Sequence, residues 1–416
     1  MKHNRRNQYA TSIESHTLSL FFSGKSLQKS GDQHFPFSVN RNFFYLSGIV
    51  QENVCLLIAK GKDNVESFLF LEETDPVKAL WDGAGLSFEQ AAEVAEIDTK
   101  NVRDIKTLDL FVAQLLSTSR RALFGFIDTV YLDLERQSDH ADDTVSIRYA
   151  KTLKEKYPFV QTKTSQMILA EQRMIKDASE IKATEEAIGI TKLGLNQIMK
   201  SLKPGKKEYE IEAEFNYVLN LHRSSPAFGT ILAGGKNATI LHYVDNGMAL
   251  GANDLVLCDL GAISSQYNAD ITRTYPASGK FTDRQKAIYE VVLEANKKTI
   301  SWLKPGVTLK EFNDYGKQIL IDGAKKLGLI NSDEEINKYY YHSLGHYLGL
   351  DVHDVGNYSL VIPEGALITV EPGLYIAEEN IGIRIEDDVI VTAQGAINLS
   401  KDIIKEVKDI EAFMKR

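Results

Sequence analysis

Between about residues 40 and 130 the chain interleaves short β-rich apolar runs, Val54-Cys55-Leu56-Leu57-Ile58 and Ser67-Phe68-Leu69-Phe70-Leu71, with helical stretches such as Phe88 to Val94. Strands alternating with helices predict an α/β domain built on a sheet. From about Gln166 the pattern changes to a helical segment, Met167 to Ala187, rich in Lys, Glu, Ala and Ile, which puts a domain boundary between residues 165 and 166. The C-terminal half carries a repeat: Leu202-Lys203-Pro204-Gly205 returns 101 residues later as Leu303-Lys304-Pro305-Gly306. Each copy follows a helical stretch (Ala187 to Ser201; Ala287 to Trp302) and precedes another (Glu208 to Arg223; Leu309 to Leu327). Pro-Gly ends the first helix and turns the chain toward the second. Gly-punctuated β-like sequence adjoins each helix pair, so this half is expected to form two related α+β units around one sheet system.

Length and composition fit that picture and exclude several functions. At 416 residues the chain has room for two domains, and no low-complexity run interrupts it. A formal net charge of -9, with lysines scattered among acidic residues, offers no basic field for a phosphate backbone, so nucleic acid is excluded as a partner. The two cysteines, Cys55 and Cys258, lie far apart in apolar runs and support neither a disulfide framework nor a zinc knuckle. The apolar stretch nearest the N-terminus, Leu18 to Phe22, is shorter than the about 7–15 residues of a signal-peptide core, and no stretch reaches the ~20 residues of a membrane span. The expectation is a soluble, cytoplasmic protein with no membrane partner.

The residues that carry chemistry lie late in the chain. Leu255 to Asp259 reads as an apolar strand ending on an acid, and Tyr267 to Thr272 resumes the alternation after a polar turn. A turn at Ser264-Ser265 would set Asp259 directly opposite Asp270, a separation at which two carboxylates repel unless a cation lies between them. The device recurs: Leu367 to Glu371 and Ile381 to Glu386 are strand-like, with Glu378-Glu379 as the tip, and Arg384 and Glu386 share a face. Four carboxylates with one cation among them demand compensating positive charge. Between the two devices, three of nine histidines (His342, His346, His353) fall within twelve positions. Gly345 and Gly349 argue against a helical zinc motif there and for close backbone approach to a site. Hard oxygens with an imidazole suit manganese first, with zinc, cobalt or iron as alternatives. A pair of such ions can polarise a carbonyl and supply hydroxide at neutral pH, which is hydrolytic chemistry. Gly234-Gly235-Lys236 is not a P-loop, because Thr230 and Asn237 stand where Gly and Ser/Thr are required.

Six motifs in order, Ile240-Leu241-His242-Tyr243, Cys258 to Ala262, Asp270 to Thr274, His346 to His353, Thr369 to Gly373 and Ile383 to Asp388, closely resemble the pita-bread metallopeptidases, and within them aminopeptidase P. Phe35 to Gly48 is similar to the signature of the aminopeptidase P N-terminal domain. The resemblance implies an α/β N-terminal domain (1–165) and an α+β pita-bread, creatinase/aminopeptidase-like catalytic domain (166–416) with internal pseudo-duplication. It implies two divalent ions per chain, with Asp259 on one, Asp270 and Glu386 bridging both, and His346 and Glu371 completing the other. His353 would stabilise the tetrahedral intermediate, His242 and His342 would position the substrate, Glu371 would shuttle the proton, and Arg384 would buttress the carboxylates and border the substrate. Ala79-Leu80-Trp81-Asp82-Gly83 resembles a loop that brings an aromatic toward the proline pocket, so Trp81 is a substrate-binding candidate beside the alternative of a core tryptophan. Phe228 stands where the family often has Tyr, which removes any hydrogen bond from that phenol. The implied activity is hydrolysis of the N-terminal Xaa-Pro bond of peptides by a homo-oligomer, dimer or tetramer. Prolidase is the alternative, methionine aminopeptidase fits the large N-terminal domain poorly, and a metal-free binding protein on the same fold is the reading from another class.

Overall fold

The computed structural model describes residues 1–73, 76–117, 123–136 and 138–415, without the side chains of Pro76, Lys78 and Asp82, the last in the loop singled out above. The chain divides into two compact units, Met1–Gln172 and Arg173–Arg416.

In the N-terminal unit the order is α1 (Lys2–Thr11), β1 (Thr17–Phe22), a small hairpin β2 (Gln28–Ser30) and β3 (Gln33–His34), α2 (Arg41–Ser47), β4 (Cys55–Lys60), β5 (Val65–Leu71), α3 (Pro76–Asp82), α4 (Phe88–Ala95), β6 (Val102–Asp104), α5 (Leu108–Leu116), β7 (Thr129–Leu132), α6 (Val145–Lys156) and β8 (Gln161–Thr164). Six strands form one sheet in the order β6-β5-β4-β1-β7-β8. The continuous apolar run of β4 is buried throughout Cys55 to Ala59, as a central strand covered on both faces requires. Leu18, Leu57, Phe70, Val112 and Leu153 belong to the core that joins this sheet to α5 and α6. The Phe35 to Gly48 motif is a capped helix: the Asn40 side chain accepts from the Phe43 N–H at 2.8 Å, and Gly48 ends α2 at φ 72°. Trp81, on α3, is 85% exposed, so the core-tryptophan alternative is wrong.

The expected helix from Met167 to Ala187 is broken in two. Helix α7 (Gln166–Met174) stops, and α8 (Ala178–Ser201) restarts behind an Asp177–Glu180 capping box, whose side chains compete with helix continuation. Then follow α9 (Glu208–Leu221), β9 (Ile231–Gly234), β10 (Leu255–Leu260), the two-residue strands β11 (Ile263–Ser264) and β12 (Tyr267–Asn268), β13 (Ile271–Pro276), α10 (Asp283–Trp302), α11 (Leu309–Lys326), β14 (Leu367–Val370), β15 (Gly373–Ile376), β16 (Ile381–Arg384), β17 (Asp387–Thr392), β18 (Gly395–Asn398) and α12 (Val407–Met414).

The repeat is geometric as well as sequential. Gly205 and Gly306 both adopt φ +87°. Gly205 N–H donates to Leu250 at 2.8 Å and Gly306 N–H to Ile362 at 3.0 Å, and the next bridges are Lys207 with Ala249 and Thr308 with Val361. Each copy thus delivers a helix pair, α8–α9 or α10–α11, onto a three-stranded sheet, β13-β10-β9 or β14-β17-β18. One continuous core, including Leu195, Phe215, Val256, Val292, Phe312 and Val389, lies between helices and strands.

Candidate metal centre

In the first half the hairpin register differs from the expected one by two residues. Asp259 pairs with Thr272, and the turn is Ser265-Gln266, both at positive φ (49° and 70°). Such a turn favours Asn or Gly, so its sequence gave no signal of where the chain reverses. A two-residue slip preserves the face, because side chains alternate with period two. Asp270 therefore stays on the side of Asp259, as a diagonal rather than an opposite neighbour, in the gap between β12 and β13. The strands close tightly there: a Cβ on Gly261 would lie 1.7 Å from the Ala269 carbonyl oxygen. In the second half Thr369 pairs with Asp388 and Val370 with Asp387, and beyond a break Gly373 pairs with Arg384. The register is the same on both sides of the break, which sets Glu371 opposite Glu386. Three of the four carboxylates thus lie where a strand is interrupted, freed from strict up-and-down alternation.

The histidine segment is threaded beside β14: Leu348 N–H donates to Leu367, Thr369 N–H to His346 at 2.9 Å, and Glu371 N–H to Leu344 at 2.8 Å. A Cβ on Gly345 would meet the Thr369 carbonyl oxygen at 2.0 Å, so only glycine allows this approach. His346 Nδ1 is 3.0 Å from the Tyr347 carbonyl, which can only accept, so Nδ1 carries a proton and Nε2 is the atom turned toward the carboxylates. That Nε2 lies 3.5 Å from Asp270 Oδ2 and 3.6 Å from Glu371 Oε1. One ligand atom each from Asp270, His346 and Glu386 lie within 4.8 Å of one another.

Arg384 is pinned by three bonds, from Nη2 to Asp259 Oδ2 (2.6 Å), from Nη1 to the Tyr375 hydroxyl (2.8 Å) and from Nε to Thr272 Oγ1 (3.0 Å). Thr272 in turn donates to Glu386 Oε2 at 2.6 Å. His342 Nδ1 donates to the Ser343 carbonyl at 2.7 Å, leaving Nε2 to accept from Tyr375 at 2.8 Å. Burial, then the charge of Arg384, pulls His342 down to about 4, so it is neutral at pH 7. His353 is exposed, its ring edge-on to His346 at 4.2 Å between centroids. His242 is exposed too, near enough for its charge to bear on His342 and His353.

The structure thus gathers Asp259, Asp270, His346, Glu371, Glu386 and Arg384 into one cluster, with His342, His353 and His242 at its rim; Trp81 belongs to the other unit. Sequence reasoning missed Thr272, Tyr375 and Asp388. Asp388 Oδ2 accepts the Asp270 N–H at 3.1 Å and so aims that residue. Its signal was legible in the Glu386-Asp387-Asp388 run; Thr272 and Tyr375, neutral residues in strands, left none.

Electrostatics test whether a cation fits. Burial, only partly offset by Arg384, pushes the Asp259 carboxyl up to about 6, and burial pushes Glu371 up to about 7. Burial and the charge of Asp270 hold Glu386 well above the carboxylate range. Asp259 Oδ1 is buried with no hydrogen-bond partner. Although burial opposes it, Asp270 and Glu371 hold His346 up at about 9. These oxygens and the imidazole Nε2, whose second proton a metal ion would displace, with a single arginine for four carboxylates, fit a divalent cation.

Residues 182–393 match the model of metallopeptidase family M24, and residues 3–124 that of the aminopeptidase P N-terminal domain. An Xaa-Pro aminopeptidase of Haemophilus influenzae is 34% identical over 99% of this chain and 96% of its own. A Bacillus anthracis structure assigned as an aminopeptidase P superposes with a TM-score of 0.96 at 42% identity, covering 100% of this chain and 97% of that one. Zinc-substituted Escherichia coli aminopeptidase P in complex with product superposes at 0.88 and 30% identity, covering 99% and 97%. The two-unit pita-bread architecture, the convergent carboxylates and these likenesses agree: the chain belongs to metallopeptidase family M24 and is a metal-dependent aminopeptidase with an aminopeptidase P N-terminal domain.

Proposed function

We propose that this aminopeptidase removes the first residue of peptides whose second residue is proline, with two divalent ions, manganese in the first instance, held by Asp259, Asp270, His346, Glu371 and Glu386. The observation that carries the reading is the convergence of Asp270, His346 and Glu386 ligand atoms within 4.8 Å, in a chain that also has an aminopeptidase P N-terminal domain. Bound ions would polarise the scissile carbonyl and make water a nucleophile near neutral pH.

The chain's own residues do the rest. An Xaa-Pro bond has a tertiary amide nitrogen, which must gain a proton as the bond breaks. Glu371, whose Oε1 lies 3.6 Å from His346 Nε2 within the cluster, would take a proton from the attacking water and pass it to that nitrogen. His353, at the rim, would stabilise negative charge developing on the carbonyl oxygen. Neutral His342, locked between Ser343 and Tyr375, and exposed His242 would frame the substrate. Arg384, fixed on three sides, holds Asp259 directly and Glu386 through Thr272, and would border the proline side. The proposal places the enzyme in the cytoplasm, where two buried free cysteines stay reduced, and as a homo-oligomer, dimer or tetramer.

The test compares kcat/KM for an Xaa-Pro-Xaa tripeptide and an Xaa-Pro dipeptide sharing the first residue. The tripeptide is expected to be cleaved at least as well. A dipeptide preference above about tenfold, roughly 1.4 kcal/mol of transition-state binding, would make the enzyme a prolidase.

A further inference from the structure

Glu208, the first residue of α9, is completely buried, yet its carboxylate meets four neutral donors. Oε1 accepts from the Gly234 N–H at 2.8 Å and from Asn237 Nδ2 at 3.0 Å. Oε2 accepts from the Tyr243 hydroxyl and from the Met248 N–H, both at 2.8 Å. All four donors lie in residues 234–248, the segment that carries His242. One carboxylate therefore ties down both ends of the segment, and through Tyr243 the residue next to the imidazole. Tyr243 itself accepts from the Gly247 N–H at 3.3 Å, closing the segment on itself.

A buried charge is retained only if its lone pairs are filled, and a neutral isostere would serve poorly here: the amide nitrogen of glutamine would face two donors. One turn along α9, Glu212 Oε2 accepts from Asn246 Nδ2 at 2.9 Å, a second tie to the same segment. The other half of the duplication repeats the plan. Asn313 of α11, 101 residues after Glu212, accepts the N–H of Leu344, in the segment that carries His342 and His346. In both halves the helix after the Leu-Lys-Pro-Gly turn grips a histidine-bearing segment.

We propose that Glu208 is a positioning residue for the peptidase reaction, holding residues 234–248 so that His242 stands beside His342 and His353. This rests on the reading of His242 as a substrate-framing residue.

The test is a double-mutant cycle on the full-length, manganese-loaded enzyme with Ala-Pro-Ala as substrate, using Glu208→Gln, His242→Ala and the two combined. Amide hydrogen exchange across residues 234–248 and metal content are measured on the same samples. Glu208→Gln is expected to keep its metal, to exchange faster in residues 234–248, and to lower kcat/KM by about 10- to 100-fold, the range for residues that orient others. In the His242→Ala background the same change is expected to alter kcat/KM by less than about twofold. An equal loss in both backgrounds, or unchanged exchange in the segment, would overturn the proposal. Should Glu208→Gln fail to fold, Tyr243→Phe removes one of the four donors and runs the same cycle. A fully active His242→Ala would instead refute the role given to His242, and faster exchange in Glu208→Gln would still establish Glu208 as the anchor of the segment.

Discussion

Replacing Asp270 by alanine is expected to abolish activity and to strip metal from the protein. Asp270 lies 3.5 Å from His346 Nε2, belongs with His346 and Glu386 to the convergent set, and is aimed by the bond from its own N–H to Asp388. Losing a residue that merely orients a ligand reduces metal affinity or activity by about 10- to 100-fold, and losing Asp270, if it is the shared ligand proposed above, should exceed that range. His353→Ala is the contrast. Its ring packs on His346 but its proposed place is at the substrate, so metal should stay bound while turnover falls by about 100-fold, the scale on which one stabilising donor to a developing oxyanion counts. Elemental analysis beside kcat on an Xaa-Pro tripeptide separates the two. Equal metal loss in both variants would show that the roles are wrongly divided.

The largest effect on stability is expected at Asp387. Its carboxylate and the Arg273 guanidinium are both fully buried, 2.7 Å apart, and Lys405 Nζ pairs with its other oxygen. Arg273 also donates to the carbonyls of Thr272 and Glu386, so the pair fixes the strand break that carries Glu386, a proposed ligand. Asp387→Ala leaves the buried Arg273 and the partly buried Lys405 without their counter-charge and should destabilise the C-terminal unit by about 3–5 kcal/mol in urea unfolding at pH 7. Burial alone would raise this carboxyl, but Arg273 and Lys405 outweigh it and hold it below the ordinary range. A group whose folded pKa is depressed contributes stability above its unfolded value, ~3.9, and loses it as pH falls toward the folded value. The native protein should therefore lose stability below about pH 4 more steeply than Asp387→Ala does. A variant within about 1 kcal/mol of the native protein, with the same acid dependence, would show that the pair contributes little.

The parts of this protein legible in its sequence are those in which residue type alone restricts the chemistry. Acids ending apolar strands, clustered histidines among glycines and a repeated Leu-Lys-Pro-Gly each pointed to their place in the fold. The register of the Asp259 hairpin was not legible, because Ser265 and Gln266 adopt a turn that their types do not advertise. The break between α7 and α8 was hidden because Asp177 and Glu180 read as ordinary helix acids until their caps are seen. Glu208 was invisible for the same reason: an acid in the first turn of a helix is commonplace, and only the fold reveals four donors converging on it. Trp81 was left undecided between core and site, and its 85% exposure removes the first.

The most direct test titrates manganese into metal-stripped, folded protein while following hydrolysis of an Xaa-Pro-Xaa tripeptide and the metal bound per chain. Two ions per chain are expected, with activity absent before loading and reaching its plateau as the second site fills. Full activity in the stripped protein, or a folded chain that takes up no metal, would contradict a metal-dependent peptidase built on Asp259, Asp270, His346, Glu371 and Glu386.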